Sequence, residues 1–235
     1  MASFEYLLTV LPSLPSELGE KVSAEDAYRI VRAEDSGRLT YLVDVLGAED
    51  EIIKCGLQYF VLQNKNYEAE LSESLPESFS KVFFNYTNMT EATWMTEIYK
   101  AWFDMMVETA DKTGSTLLKS WAEWEYSLRI GLMFDRLKKA GIEYNESELT
   151  PEFMKYGEGY DYSALVQEYN KISEPMKAEK ALDQSRLDFI RNSAISYSFS
   201  ADELVAYLLQ LRIYARYARF SPELGRKILQ EVTAL

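Results

Sequence analysis

The sequence predicts an all-α protein, built as bundles of mostly antiparallel helices. Three observations carry that prediction: apolar residues recur at three- and four-residue steps over long stretches, helix-start and helix-stop residues bracket those stretches, and strand-like alternation is scarce. The 235 residues are 47% hydrophobic and 27% charged, enough to bury a sizeable core as one domain or as two closely packed lobes over about 1–87 and 88–235.

The opening run FEYLLTVLP is short and apolar, with an acidic residue and no basic charge ahead of it. Such a run is unlike a signal peptide and far too short to cross a membrane. Pro12 and Pro15 predict an extended arm over residues 4–15, lying in a groove between helices. Ser23 and Asp26 have a capping spacing that starts a short helix to about Ala33, and a second helix follows from Arg38 to Leu46. A longer helix is expected from Ala48 to Gln63, with Glu49, Asp50 and Glu51 in its first turn, where negative charge complements the helix dipole. Cys55 falls within it beside Ile52 and Leu57 and reads as a small core residue, not a nucleophile.

Residues 64–87 mix turn formers with one short helix beginning near Pro76, and form the best candidate for a connection between lobes. Asn88 and Glu91 then open a long helix with Trp94, Ile98, Ala101, Trp102 and Met105 on its face, ended by Gly114. The next helix, from about Ser115 to Ala140, aligns Leu117, Trp121, Trp124, Leu128 and Leu132, and stops at Gly141. Its Gly131 leaves room for another helix to approach. Aromatic stripes of this kind read as core in preference to a ligand box. From Asn145 to Asn170 the chain is acidic and tyrosine-rich, with Gly157 and Gly159 between Tyr156 and Tyr160. Short helices broken by that glycine pair are expected, as a surface lobe or a contact site. No repeat of solenoid length is present.

Residues 174–220 read as two long helices joined by a short polar turn. The second starts at a capping box of Ser200 and Glu203, and its apolar face runs through Leu204, Tyr207, Leu208, Leu211, Tyr214, Ala215 and Ala218. The first carries Glu179, Asp183 and Arg186 on one line inside an apolar face, flanked by Leu182 and Phe189 on one side and by Met176, Leu187 and Ile190 on the other. Charges removed from water need charged partners. Arg212, Arg216 and Arg219 run at matching spacing along the edge of the second helix's stripe. Glu179, Asp183, Arg186, Arg212 and Arg216 are therefore expected to form a structural ion-pair network between the two helices, in preference to a paired-carboxylate catalytic site. Arg219, Arg226 and Lys227 make the C-terminal end locally basic and are the candidate contact with an acidic partner.

Composition narrows the function classes. A net charge of −13 opposes docking on a phosphate backbone or on anionic lipid, so neither nucleic acid nor direct membrane insertion is expected. With no histidine, the chain lacks the commonest general base and metal ligand, and it cannot make the Glu-x-x-His motifs of di-iron bundles. No phosphate-binding glycine loop occurs. No catalytic role and no cofactor is therefore expected. The single cysteine excludes an internal disulfide framework and fits a reducing cytoplasm.

The runs EKALDQSRLDFI and FSADELVAYLLQLRIYARYARFSPELG, together with FEYLLTVLPSLP and SWAEWEYSLRIGLMFDRLKKAG, carry a resemblance that covers most of the chain. They resemble an uncharacterised bacterial protein family encoded with V/A-type ATP synthase operons, itself distantly similar to the d-type central-stalk subunit of rotary ATPases. The resemblance implies helical bundles arranged as a compact or funnel-like socket. It also implies a non-catalytic structural or assembly role in a V/A-type proton- or sodium-translocating ATPase, with central-stalk or rotor-ring subunits as partners and a cytoplasmic location peripheral to the inner membrane. A soluble helical adaptor unrelated to rotary motors is the alternative, and a hydrolase using Glu179 and Asp183 as an acid/base pair is the third reading.

Overall fold

In the computed structural model the described residues are 4–20, 22–34, 37–143, 160, 162–218, 226 and 230. Nine α-helices and no strand occur among them: α1 (Phe4–Val10), α2 (Ala24–Glu34), α3 (Arg38–Cys55), α4 (Glu77–Phe83), α5 (Glu91–Thr113), α6 (Thr116–Lys139), α7 (Ser163–Lys171), α8 (Pro175–Ser193) and α9 (Ala201–Ala218). The fold is all-α. One contiguous buried cluster runs from Leu7 to Ala215, so the same core unites the first helices with the last. No helix among the described residues is long and apolar enough to cross a membrane.

Three expectations need correction. Residues 4–10 are helical, not extended: Leu7 and Leu11 are buried one turn apart, and α1 packs on α2 and α9. An apolar run this short fits either period, and the neighbouring helices choose. Only residues 11–15 of the expected arm stay outside a helix, tethered by the Tyr207 hydroxyl, which donates to the Pro12 carbonyl at 2.7 Å. Second, α3 runs unbroken through Gly47, because Leu42, Val43, Val45, Leu46, Ala48 and Ile52 are all buried and the gain from that burial outweighs one helical glycine. Glu49 and Asp50 therefore lie in mid-helix and not in a first turn. Past Cys55 the helix widens into a π-helical segment, Gly56–Val61, with Leu62 N–H donating to Leu57 O at 2.8 Å. Third, α5 is capped by Thr90, whose side chain accepts from Thr93 N–H, and not by Asn88, which ends a 3-10 segment.

Other boundaries follow local chemistry. Gly114 adopts φ 71° and closes α5 by donating to Ala110 O. Ser115 caps α6, its Oγ accepting from Leu118 N–H at 3.0 Å. All four tryptophans are buried, and in α5 their indoles are satisfied: Trp94 Nε1 donates to Phe83 O at 2.9 Å and Trp102 Nε1 to Val45 O at 2.7 Å. The segment after the π-helix is tied back to α3 by Asp44, which accepts from Ser72 Oγ (2.9 Å), Ser74 Oγ (2.5 Å) and Arg32 (2.8 Å). Gly131 faces α7, where an added Cβ would meet Tyr162 Cβ at 3.8 Å, ordinary contact distance. Residues 144–159, which hold most of the tyrosine-rich stretch, lie outside the described residues.

Candidate functional site

Where α3, α6, α8 and α9 meet, seven charged side chains alternate in sign through the interior. Arg212 of α9 donates to Glu49 Oε2 of α3 at 3.0 Å and also to the Leu46 carbonyl. Glu49 Oε1 accepts from Arg129 of α6 at 2.6 Å. Arg129 Nε donates to Glu125 Oε1, one turn earlier on the same helix, at 2.8 Å. Glu125 takes two further bonds from Arg186 of α8, at 2.8 and 2.9 Å. Arg186 Nη1 reaches Asp183 Oδ1 at 2.8 Å, and Asp183 Oδ2 accepts from Arg216 of α9.

The ladder is sealed from water at its centre. The Glu125 side chain is 2% exposed and that of Asp183 1%, whereas Arg216 and Glu179, 3.6 Å apart, form its half-exposed rim. Buried carboxylates without partners would take up a proton. Here burial pushes the Glu49 carboxyl up, but the Arg129 and Arg212 guanidinium groups outweigh it and hold the group down at about 2. Glu125 is likewise below the usual range, its burial outweighed by Arg186 and Arg129. Arg129 also lies over the ring of Tyr99, 4.6 Å from its centroid, so an aromatic wall covers its face.

The sequence-predicted residues divide between two partners. Glu179, Asp183, Arg186 and Arg216 meet between α8 and α9. Arg212 does not join them: one turn earlier on α9, it reaches α3 and pairs with Glu49, with Asp50 Oδ1 at 3.8 Å. Glu49, Glu125 and Arg129 were missed. Glu125 and Arg129 sit four residues apart within the Trp121–Trp124–Leu128–Leu132 stripe, the same pattern of charge inside an apolar face that singled out α8. Glu49 was hidden by the expected break at Gly47. Arg219 and Lys227 lie outside the described residues, and Arg226 is exposed and helical.

Residues 56–235 match a family described as "Protein of unknown function (DUF2764)". The chain belongs to the DUF2764 family. No curated protein and no solved structure matches it. In this DUF2764 protein the matched region holds every member of the ladder from α6, α8 and α9, while Glu49 precedes it. Among the described residues of the DUF2764 chain, no group of three or more cysteine, aspartate or glutamate side chains is placed to hold a metal ion. What the ladder can do chemically is hold four helices in one register, because each charge has its counter-charge on a neighbouring turn or helix.

Proposed function

We propose that the chain is a non-catalytic structural or assembly subunit of a V/A-type proton- or sodium-translocating ATPase, acting through protein contacts and placed peripherally at the membrane by that complex. The observation that carries the non-catalytic half is the ladder. A general base needs a free lone pair and a pKa near the working pH. Glu125 and Asp183 have their oxygens bound by arginines and their side chains shut off from water. That commitment speaks against Glu179 and Asp183 as an acid/base pair. The rotary half rests on the resemblance of the α8–α9 run to the family encoded beside V/A-type ATP synthase genes, with central-stalk or rotor-ring subunits as the partners it implies.

The test is affinity purification of the tagged protein from its native cell at low salt, followed by identification of what is retained. Stalk or rotor-ring subunits are expected. Reversing the charges of Arg219 and Arg226 together is expected to weaken that retention while the far-UV helical signal stays unchanged. Retention of no ATPase subunit by the wild-type protein would reject the rotary reading and leave the helical adaptor.

A further inference from the structure

The turn between α8 and α9 carries two bulky residues in a backbone conformation that glycine or asparagine usually supplies. Tyr197 has φ 59° and Phe199 φ 49°, where a Cβ crowds the following carbonyl oxygen. Packing does not compensate for this: Tyr197 is 85% exposed, Phe199 40%, and Ile195 beside them 77%. One side chain spans both strained positions. Glu203, in the first turn of α9, accepts Tyr197 N–H on Oε1 and Phe199 N–H on Oε2, each at 2.8 Å. Ser200 Oγ steadies it from below, accepting Glu203 N–H at 3.4 Å and sharing a 2.8 Å bond with Ser198 Oγ. The arrangement departs from an ordinary capping box, in which the glutamate would return to the N–H of Ser200 itself.

We propose that Glu203 is a conformational latch, a positioning residue whose two carboxylate oxygens hold Tyr197 and Phe199 in the left-handed region. It thereby keeps Ile195, Tyr197 and Phe199 displayed in solvent as a fixed turn. A carboxylate offers one acceptor oxygen to each amide; glutamine has a single acceptor and alanine none. Strained backbone persists only while its surroundings over-determine it. Loss of either oxygen therefore lets the turn leave the displayed state. This device is independent of the ion ladder and of the partner reading above.

Residue-resolved amide hydrogen exchange on the full chain tests it. In the wild type the Tyr197 and Phe199 amides are expected to be protected despite their exposed side chains. Glu203→Ala is expected to speed both by on the order of tenfold, and Glu203→Gln to speed one of them, with protection inside α9 at Leu208 and Leu211 unchanged. Unprotected amides in the wild type, or unchanged rates in Glu203→Ala, would overturn the latch. Because Glu203 also sits in the first turn of α9, a second arm leaves it in place: Tyr197→Gly and Phe199→Gly are each expected to raise Tm, since glycine takes positive φ without a Cβ clash. A Tm unchanged or lowered in both would show that the turn stores no strain, and would equally overturn the proposal.

Discussion

Removing the carboxylate of Asp183 would leave the guanidinium groups of Arg186 and Arg216 facing one another with no acceptor between them. Arg186 keeps its two bonds to Glu125 and Arg216 is half-exposed beside Glu179, so the cost is that of lost charged hydrogen bonds, about 1.5 to 3 kcal/mol. Asp183→Ala is expected to lose that much in urea unfolding, and a loss below about 1 kcal/mol would mean that the pairs contribute no more than surface contacts. Glu49 sets the direction of the pH dependence. Its folded value, about 2, lies below the ordinary 4.5, so its stabilisation is complete above pH 4.5 and is lost as pH falls from 4.5 toward 2. That difference corresponds to about 3 kcal/mol. Unfolding midpoints should fall steeply across this window in the wild type and less so in Glu49→Gln. Cys55 behaves oppositely to a reactive thiol: it is 0% exposed, and burial, with Glu51 nearby, pushes its thiol up to about 12. A thiol reagent at neutral pH should label it only after denaturation.

At the scale of elements, one side chain joins the starts of two helices. Asp202, in the first turn of α9, accepts from Ser115 Oγ at 2.6 Å, Thr116 Oγ1 at 2.8 Å and Leu117 N–H at 3.0 Å. It supplies α6 with a cap from a remote helix, beside the cap made by Ser115 itself. Asp202→Ala is expected to cost about 1–2 kcal/mol and to speed exchange of the Leu117 amide, whereas a merely exposed first-turn acid would change neither. Helix starts were legible at Ser115 and Ser200, where the cap is local, but the equally local cap at Thr90 was passed over for Asn88. The remote cap at Asp202 left no mark in the linear pattern. The break expected at Gly47 failed for a related reason: the burial of Leu42, Val45, Leu46, Ala48 and Ile52 that keeps α3 continuous comes partly from α5, far along the chain.

At the scale of the molecule, the ladder ties α3 to α6, α8 and α9 by consecutive pairs, so its ends should feel one another. Glu49→Gln and Asp183→Asn share no direct contact, yet Arg129, Glu125 and Arg186 connect them. The double variant is expected to depart from additivity by about 0.5–1 kcal/mol in a double-mutant cycle, and agreement within about 0.3 kcal/mol would make the pairs independent. By itself the sequence determined the all-α class, the core faces of α5, α6, α8 and α9, and the need for counter-charges beside Asp183 and Arg186. These follow from periodicity and from the cost of burying charge, both of which act over a few residues. Only the tertiary structure decided which charge meets which. Arg212 and Arg216 differ by a single helical turn, and their different partners on α3 and α8 depend on how the helices cross, which no local pattern encodes.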